Sequence, residues 1–301
     1  MNNTSIPPSG RRRASRWLCA IALLAMTASG GGSDEPKGEQ CGNDDSPAIP
    51  GPPDTSVMRG EVVFEERITF DGSGGKTVVH SASADLTDFS KVIVQSRQPT
   101  AVGTPACYGL TGSPTTVCRP GIPEPCVPEG LDVDKVLVSG LLPGSELPKG
   151  GKKGFYTLDG DPASFYSASE VKATVQGRTD PGYFPSMEVQ VGVPDRLEIV
   201  EPAPNAKVGA RDLTLRWKKG NGDYVVIDIS NADGTTTDKI VCVVLDDGCH
   251  TILAGDLEFY DMKPDSKVKI SVLRERSKVT TSGTASLEAK AYSRVTFSVV
   301  R

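Results

Sequence analysis

From Glu61 onward the chain consists of short segments rich in Val, Ile, Leu and Thr, each broken within a few residues by Gly, Pro, Asp or Ser. Val62-Val63-Phe64-Glu65-Glu66-Arg67-Ile68-Thr69-Phe70, Lys76 to His80, Lys91 to Gln95, Lys135 to Val138 and Glu188 to Val191 are of this kind. Residues 171–176 alternate apolar and polar, the period of a half-buried strand. No window sustains a 3.6-residue apolar period, which excludes helical bundles and coiled coils. The pattern recurs in Leu197 to Val200, Leu213 to Trp217, Tyr224 to Ile229, Ile240 to Val244, Val268 to Val272 and Val295 to Val299, a spacing typical of a β-sandwich. Asp256 to Tyr260 is the one stretch expected to make a helical turn, with Asp256 as its cap. The expected fold is all-β: two consecutive antiparallel β-sandwich domains, 58–194 and 195–301, the first carrying a long Cys-containing loop at 98–130.

The front end reads as an export signal. Arg11, Arg12, Arg13 and Arg16 precede an apolar run from Trp17 to Met26, followed by the small residues Thr27, Ala28, Ser29 and Gly30. A bilayer-spanning helix needs about 20 apolar residues, so the run is too short for a transmembrane span. Residues 1–29 are therefore read as a signal peptide and 30–57 as a disordered Gly/Ser/Pro-rich linker. The chain is placed in the periplasm, at the outer membrane or outside the cell. Ser29 stands where a lipoprotein signal would carry its acylated Cys, and Cys19 lies inside the apolar run. A soluble exported protein is the first reading and a lipid-anchored outer-membrane protein the alternative.

Loss of such a leader takes the formal charge from −5 to −9. Residues 30–195 hold 23 acids against 13 bases. Counterion release from nucleic acid needs clustered Lys and Arg, so nucleic-acid binding is excluded as an expectation. The one dense basic cluster, Lys149, Lys152 and Lys153, reads as a solvated Gly-rich turn.

Six cysteines remain after the leader: Cys41, Cys107, Cys118, Cys126, Cys242 and Cys249. An even number in an exported chain implies disulfides. Asp246-Asp247-Gly248 reads as a hairpin turn that would bring Cys242 to Cys249. The other four allow three pairings, with at least one bridge expected inside 104–130. Zinc is disfavoured because no C-x-x-C spacing occurs.

Leu213-Thr-Leu215-Arg-Trp217 resembles the second-strand signature of fibronectin type III domains, and Met262-Lys-Pro264-Asp-Ser266-Lys-Val268-Lys-Ile270-Ser-Val272 resembles the family's run into its sixth strand. The resemblance covers the last third of the chain and implies a fibronectin type III or immunoglobulin-like sandwich. It departs at Val268, where the family has a tyrosine, and in Cys242 and Cys249. As a whole the chain is similar to predicted surface proteins and lipoproteins of Gram-negative bacteria, a resemblance that implies no activity.

Candidate chemistry is sparse. Asp71-Gly-Ser-Gly-Gly75-Lys76-Thr77 looks like the tail of a phosphate-binding loop, but Phe70 occupies its first Gly position and a strand follows, so it reads as a hairpin turn. His80 and His250 are the only histidines, and no G-x-S-x-G elbow accompanies them. Both are read as surface or strand-end residues. Asn231-Ala-Asp233-Gly234 and Asp159-Gly160-Asp161 contain fragments of calcium-loop character, yet turns explain both. No catalytic, cofactor or metal residue is assigned. The expected function is a non-catalytic binding or structural module for a protein or glycan ligand, with 98–130 as its recognition surface. A carbohydrate-binding or carbohydrate-active accessory protein is the alternative, weakened because Trp217, the one Trp beyond the leader, reads as core.

Overall fold

The computed structural model describes residues 41, 56–95, 99–112, 115–142, 146–160, 165–234 and 238–301. The signal peptide and most of the linker expected at 30–57 lie outside the described residues, as does Asp161. In the first part the strands are β1 (Met58–Phe70), β2 (Lys76–Asp88), β3 (Val92–Gln95), β4 (Pro99–Ala101), β5 (Cys107–Leu110), β6 (Thr115–Cys118), β7 (Glu129–Gly130), β8 (Lys135–Ser139), β9 (Phe155–Gly160), β10 (Glu170–Gln176) and β11 (Met187–Gly192). They continue as β12 (Ile199–Glu201), β13 (Leu213–Trp217), β14 (Tyr224–Asn231), β15 (Lys239–Val244), β16 (Cys249–Ile252), β17 (Lys267–Ser282) and β18 (Ala285–Val300). The short helix α1 (Ala254–Phe259) falls where the helical turn was expected. The fold is all-β.

Ten strands form one sheet in the order β4-β5-β15-β14-β17-β18-β1-β2-β7, with β9 also pairing β2. Two three-stranded sheets, β11-β10-β8 and β12-β13-β16, cover its inner face and create two hydrophobic cores. In the first core Val136, Val138, Val171, Val175, Val189 and Val191 meet a floor of Ala82, Ala84, Ala285, Ala289 and Ala291. The second core closes Leu215 and Trp217 over Ile227, Ile270 and Phe297.

The first core draws mainly on residues before the expected boundary at 194/195 and the second mainly on residues after it, but neither core nor the large sheet divides there. β1 runs parallel to β18 over twelve paired residues, from Met58↔Ala285 to Thr69↔Thr296. β1 and β18 each feed both cores: Val62, Phe64, Leu287 and Ala289 enter the first, Ile68, Val295 and Phe297 the second. Residues 41–301 accordingly form one compact unit. The sequence underread these strands because their extensions are Ala- or charge-rich, and Ala and Lys are poor strand formers.

Where the cores meet, the inner face changes from apolar to polar along a single cross-strand row. His80 lies opposite Glu66, Glu66 opposite Ser293, and Ser293 opposite Arg274. The connection between β11 and β12 crosses this seam and is pinned there. Arg196 donates from Nε and Nη2 to the Glu66 carboxylate at 2.8 and 2.9 Å, and the Leu197 amide donates to Ser293 Oγ at 2.8 Å.

Arg274, 1% exposed, holds the other end of the seam. Its Nε and Nη2 grip Asp246 at 2.8 and 2.9 Å, Nη1 reaches the carbonyls of Asp195 and Arg196, and Nη2 also reaches that of Lys218. Asp246 accepts two more bonds, from Trp217 Nε1 and the Gly222 amide. All five guanidinium protons and the whole carboxylate are thereby satisfied, which a buried ion pair requires. Trp217 is buried in the core, as expected.

The disulfides are Cys41–Cys249, Cys107–Cys242 and Cys118–Cys126. The expected Cys242–Cys249 bridge is therefore corrected. Residues 245–248 do not close a hairpin: β15 pairs with β14 in the large sheet, whereas β16 pairs with β13 in the cover sheet. The turn carries the chain from one layer to the other and puts the two cysteines in different sheets. Asp246, read as a turn residue, faces inward to Arg274. The bridge expected inside 104–130 is Cys118–Cys126.

Candidate functional site

The loop expected at 98–130 contains four short strands, β4 to β7. Its first part, β4 and β5, extends the large sheet beyond β15, where Cys107 stands opposite Cys242 and is bonded to it. Asp256 fastens this extension, accepting from the Gly103 amide at 2.9 Å and from the Thr104 amide and hydroxyl at 2.7 and 2.5 Å. Asp256 is thus not the helix cap expected of it; Leu253 holds that position without a side-chain bond. Gly109 is required here, because a Cβ would stand 1.4 Å from Tyr260 Oη.

The second part of the loop is different in character. β6 pairs with β3 as a separate two-stranded ribbon, Ile93 opposite Val117, and Cys118–Cys126 closes the segment that follows. Ile93, Val94, Val117, Ile122 and Val127 are all exposed, Val127 by 61%. Four of the exposed large apolar side chains among the described residues thus lie within one ribbon and its disulfide loop, and a fifth, Val127, directly follows the bridge. A two-stranded ribbon is marginal by itself, and a bridge beside it restrains the unfolded chain.

Both histidines depart from expectation: each is 3% exposed. His80 is not at a strand end but inside β2, since that strand runs on to Asp88. Its Nε2 donates to Glu66 at 3.0 Å and its ring stacks on Phe165 with centroids 5.1 Å apart. Burial pushes the Glu66 carboxyl up, but hydrogen bonds from Arg196 and His80 outweigh this and hold it below its ordinary value. His250 on β16 places Nε2 3.3 Å from Cys107 Sγ, and burial pushes its pKa down, partly opposed by Asp247. Cys107, Cys242 and His250 are the one cluster among the described residues with metal-ligand spacing, but both sulfurs are spent in the disulfide.

The phosphate-loop look-alike is a hairpin turn between β1 and β2. Asp71 Oδ1 accepts from Ser73 N, Ser73 Oγ and Gly75 N, leaving no amide cradle for a phosphate. Asn231 ends β14, and Gly234 has φ of 69°, which suits the turn reading of that segment. A scan of protein-family models finds none that matches the chain, and a search of curated proteins finds no relative.

The outer face of the large sheet carries a second polar row that sequence reading missed. Tyr224, Glu275, Tyr292 and Glu65 stand in register across β14, β17, β18 and β1. Tyr224 Oη donates to Glu275 Oε1 at 2.5 Å, and Lys290 nearby pairs with Glu61 and Glu288. Glu275 is 5% exposed, and burial raises its pKa against the opposing effects of Tyr224 and Lys290.

A raised acid pKa means that the folded chain holds the proton more tightly than the unfolded one. The penalty is absent below the unfolded value near 4.5, grows as pH rises to the folded value, and is complete above it. Glu275→Gln keeps an acceptor for Tyr224 without the charge. It is expected to raise the melting temperature at neutral pH and to leave it unchanged at about pH 3.5. Equal shifts at both pH values would refute the assignment.

Proposed function

We propose that this chain is an exported, non-catalytic binding or structural module of the envelope or extracellular space, which contacts a protein or glycan through the β3–β6 ribbon. The observation that carries this is the concentration of exposed apolar side chains on one disulfide-clipped element. Scattered apolar residues need no explanation on a protein surface, whereas a local concentration of them points to an interaction site. The three disulfides support an oxidising compartment. The engagement of His80 with Glu66 and of His250 with a disulfide supports the non-catalytic reading. The order β12-β13-β16 packed on β15-β14-β17-β18 supports the fibronectin type III or immunoglobulin-like assignment of the last third.

Deleting 104–128 would be a poor test, because it also removes Cys107 and the edge strand β5. A photo-crosslinker placed at Val127 or Ile93 in producing cells, with Val200 as the exposed control, tests the surface directly. Adducts are expected from the ribbon positions and not from Val200, and Val117→Asp should abolish them without changing the melting temperature. No ribbon adducts, or equal adducts at all three positions, would reject the reading.

A further inference from the structure

The second core is incompletely roofed at one corner. Its cover sheet has three strands, and β12, the outermost on that side, has only three residues. The large sheet beneath continues past β18 to β1 and β2, and in it Ile68, Val295 and Phe297 are buried and Phe70 is part-exposed at the edge of the roof. Ile68, Phe70, Val295 and Phe297 form the floor of a cleft of about 290 Å³, and Leu197, Ile199 and Pro204 form its wall. Asn205 Nδ2 donates to the Asp71 carbonyl at 3.1 Å and ties the wall's loop to the β1–β2 turn beside the opening.

Three charged residues line the same cleft: Lys76, Arg196 and Glu198. Arg196 is committed in bidentate fashion to Glu66, and Glu198 faces Lys218 at 3.7 Å. Lys76 opens β2, is exposed, and forms no ion pair among the described residues. The cleft therefore offers an apolar slot with one uncommitted cation, at the lower end of the roughly 300–1,000 Å³ range of small-molecule sites.

We propose that this cleft binds a small amphipathic anion, an alkyl or aryl carboxylate whose tail lies against Phe70 and Ile199 and whose head group pairs with Lys76. The assignment is independent of the ribbon, since no ribbon residue lines the cleft. A carboxylate suits the ammonium, and the apolar floor rewards a tail in proportion to the area it covers. A cationic amphiphile would meet Lys76 unfavourably.

The test is calorimetric titration of the purified mature protein, disulfides intact, with octanoate, octanol and octylammonium below their aggregation limits. Octanoate is expected to bind saturably at one site and more tightly than octylammonium by at least about tenfold. Lys76→Met, an exposed substitution, should weaken octanoate about tenfold and leave octanol unchanged. Ile199→Trp should fill the slot and abolish both. If that variant does not fold, Phe70→Ala should weaken both about fivefold. The absence of saturable octanoate binding at millimolar concentration, equal affinity for octylammonium, or indifference to Lys76→Met would each overturn the proposal.

Discussion

Arg274→Met is expected to lower the free energy of unfolding by about 3–5 kcal/mol, the usual consequence of removing one partner from a buried ion pair. The loss comes mainly from what is left behind. Asp246, 8% exposed in the wild-type fold, would keep only Trp217 Nε1 and the Gly222 amide to satisfy its charge. The carbonyls of Asp195, Arg196 and Lys218 would lose their donors as well. Adding Asp246→Asn removes the orphaned charge and should recover part of the loss. Because Arg274 also pins the connection between the cover sheets, trypsin should cut at Arg196 faster in the single variant than in the wild type. Urea unfolding at neutral pH checks the energy, and a loss below about 1 kcal/mol would show that the guanidinium does not hold the seam.

The disulfides should separate by the length of chain they close. Cys107 and Cys242 are 135 residues apart, Cys118 and Cys126 only 8. In the chain-entropy account the first bridge restrains the unfolded state by about 4–5 kcal/mol and the second by about 2–3 kcal/mol. The double variant Cys107→Ala with Cys242→Ala is therefore expected to lose clearly more stability than Cys118→Ala with Cys126→Ala. It also removes the covalent tie of the edge strand β5 to β15, leaving only their backbone pairing. Peptide mapping without reductant should recover Cys41–Cys249, Cys107–Cys242 and Cys118–Cys126. A peptide joining Cys242 to Cys249 would contradict the layer arrangement on which this rests.

Much of the strand content was legible because alternation is a local property. Leu213-x-Leu215-x-Trp217 and Val268-x-Ile270-x-Val272 alternate by themselves, and both are strands with those residues buried. The polar seam was not legible. Glu66, Ser293 and Arg274 occupy inward positions whose polarity reads as exposure, and only their cross-strand neighbours turn them into a satisfied network. Asp246 failed in the same way: Asp-Asp-Gly is good turn chemistry, and it does make a turn. Which layer the chain enters after that turn depends on β13, some thirty residues earlier.

The ribbon was partly legible, since three cysteines in a Pro- and Gly-rich stretch mark a tethered segment. Its division into an edge extension and a separate apolar ribbon was not. Cys107 and Cys118 are chemically alike in sequence, yet Cys107 meets Cys242 across the β5–β15 pair and Cys118 meets Cys126 in the loop that follows β6.

By itself the sequence determined an all-β chain, six cysteines from Cys41 onward suited to disulfides, and a Trp in the core, because residue period and composition act over a few neighbours. Tertiary structure alone decided that both cores share one ten-stranded sheet, which cysteines meet, and that both histidines are buried. Those outcomes depend on strand order and register, and a one-residue change in register would turn every inward side chain outward.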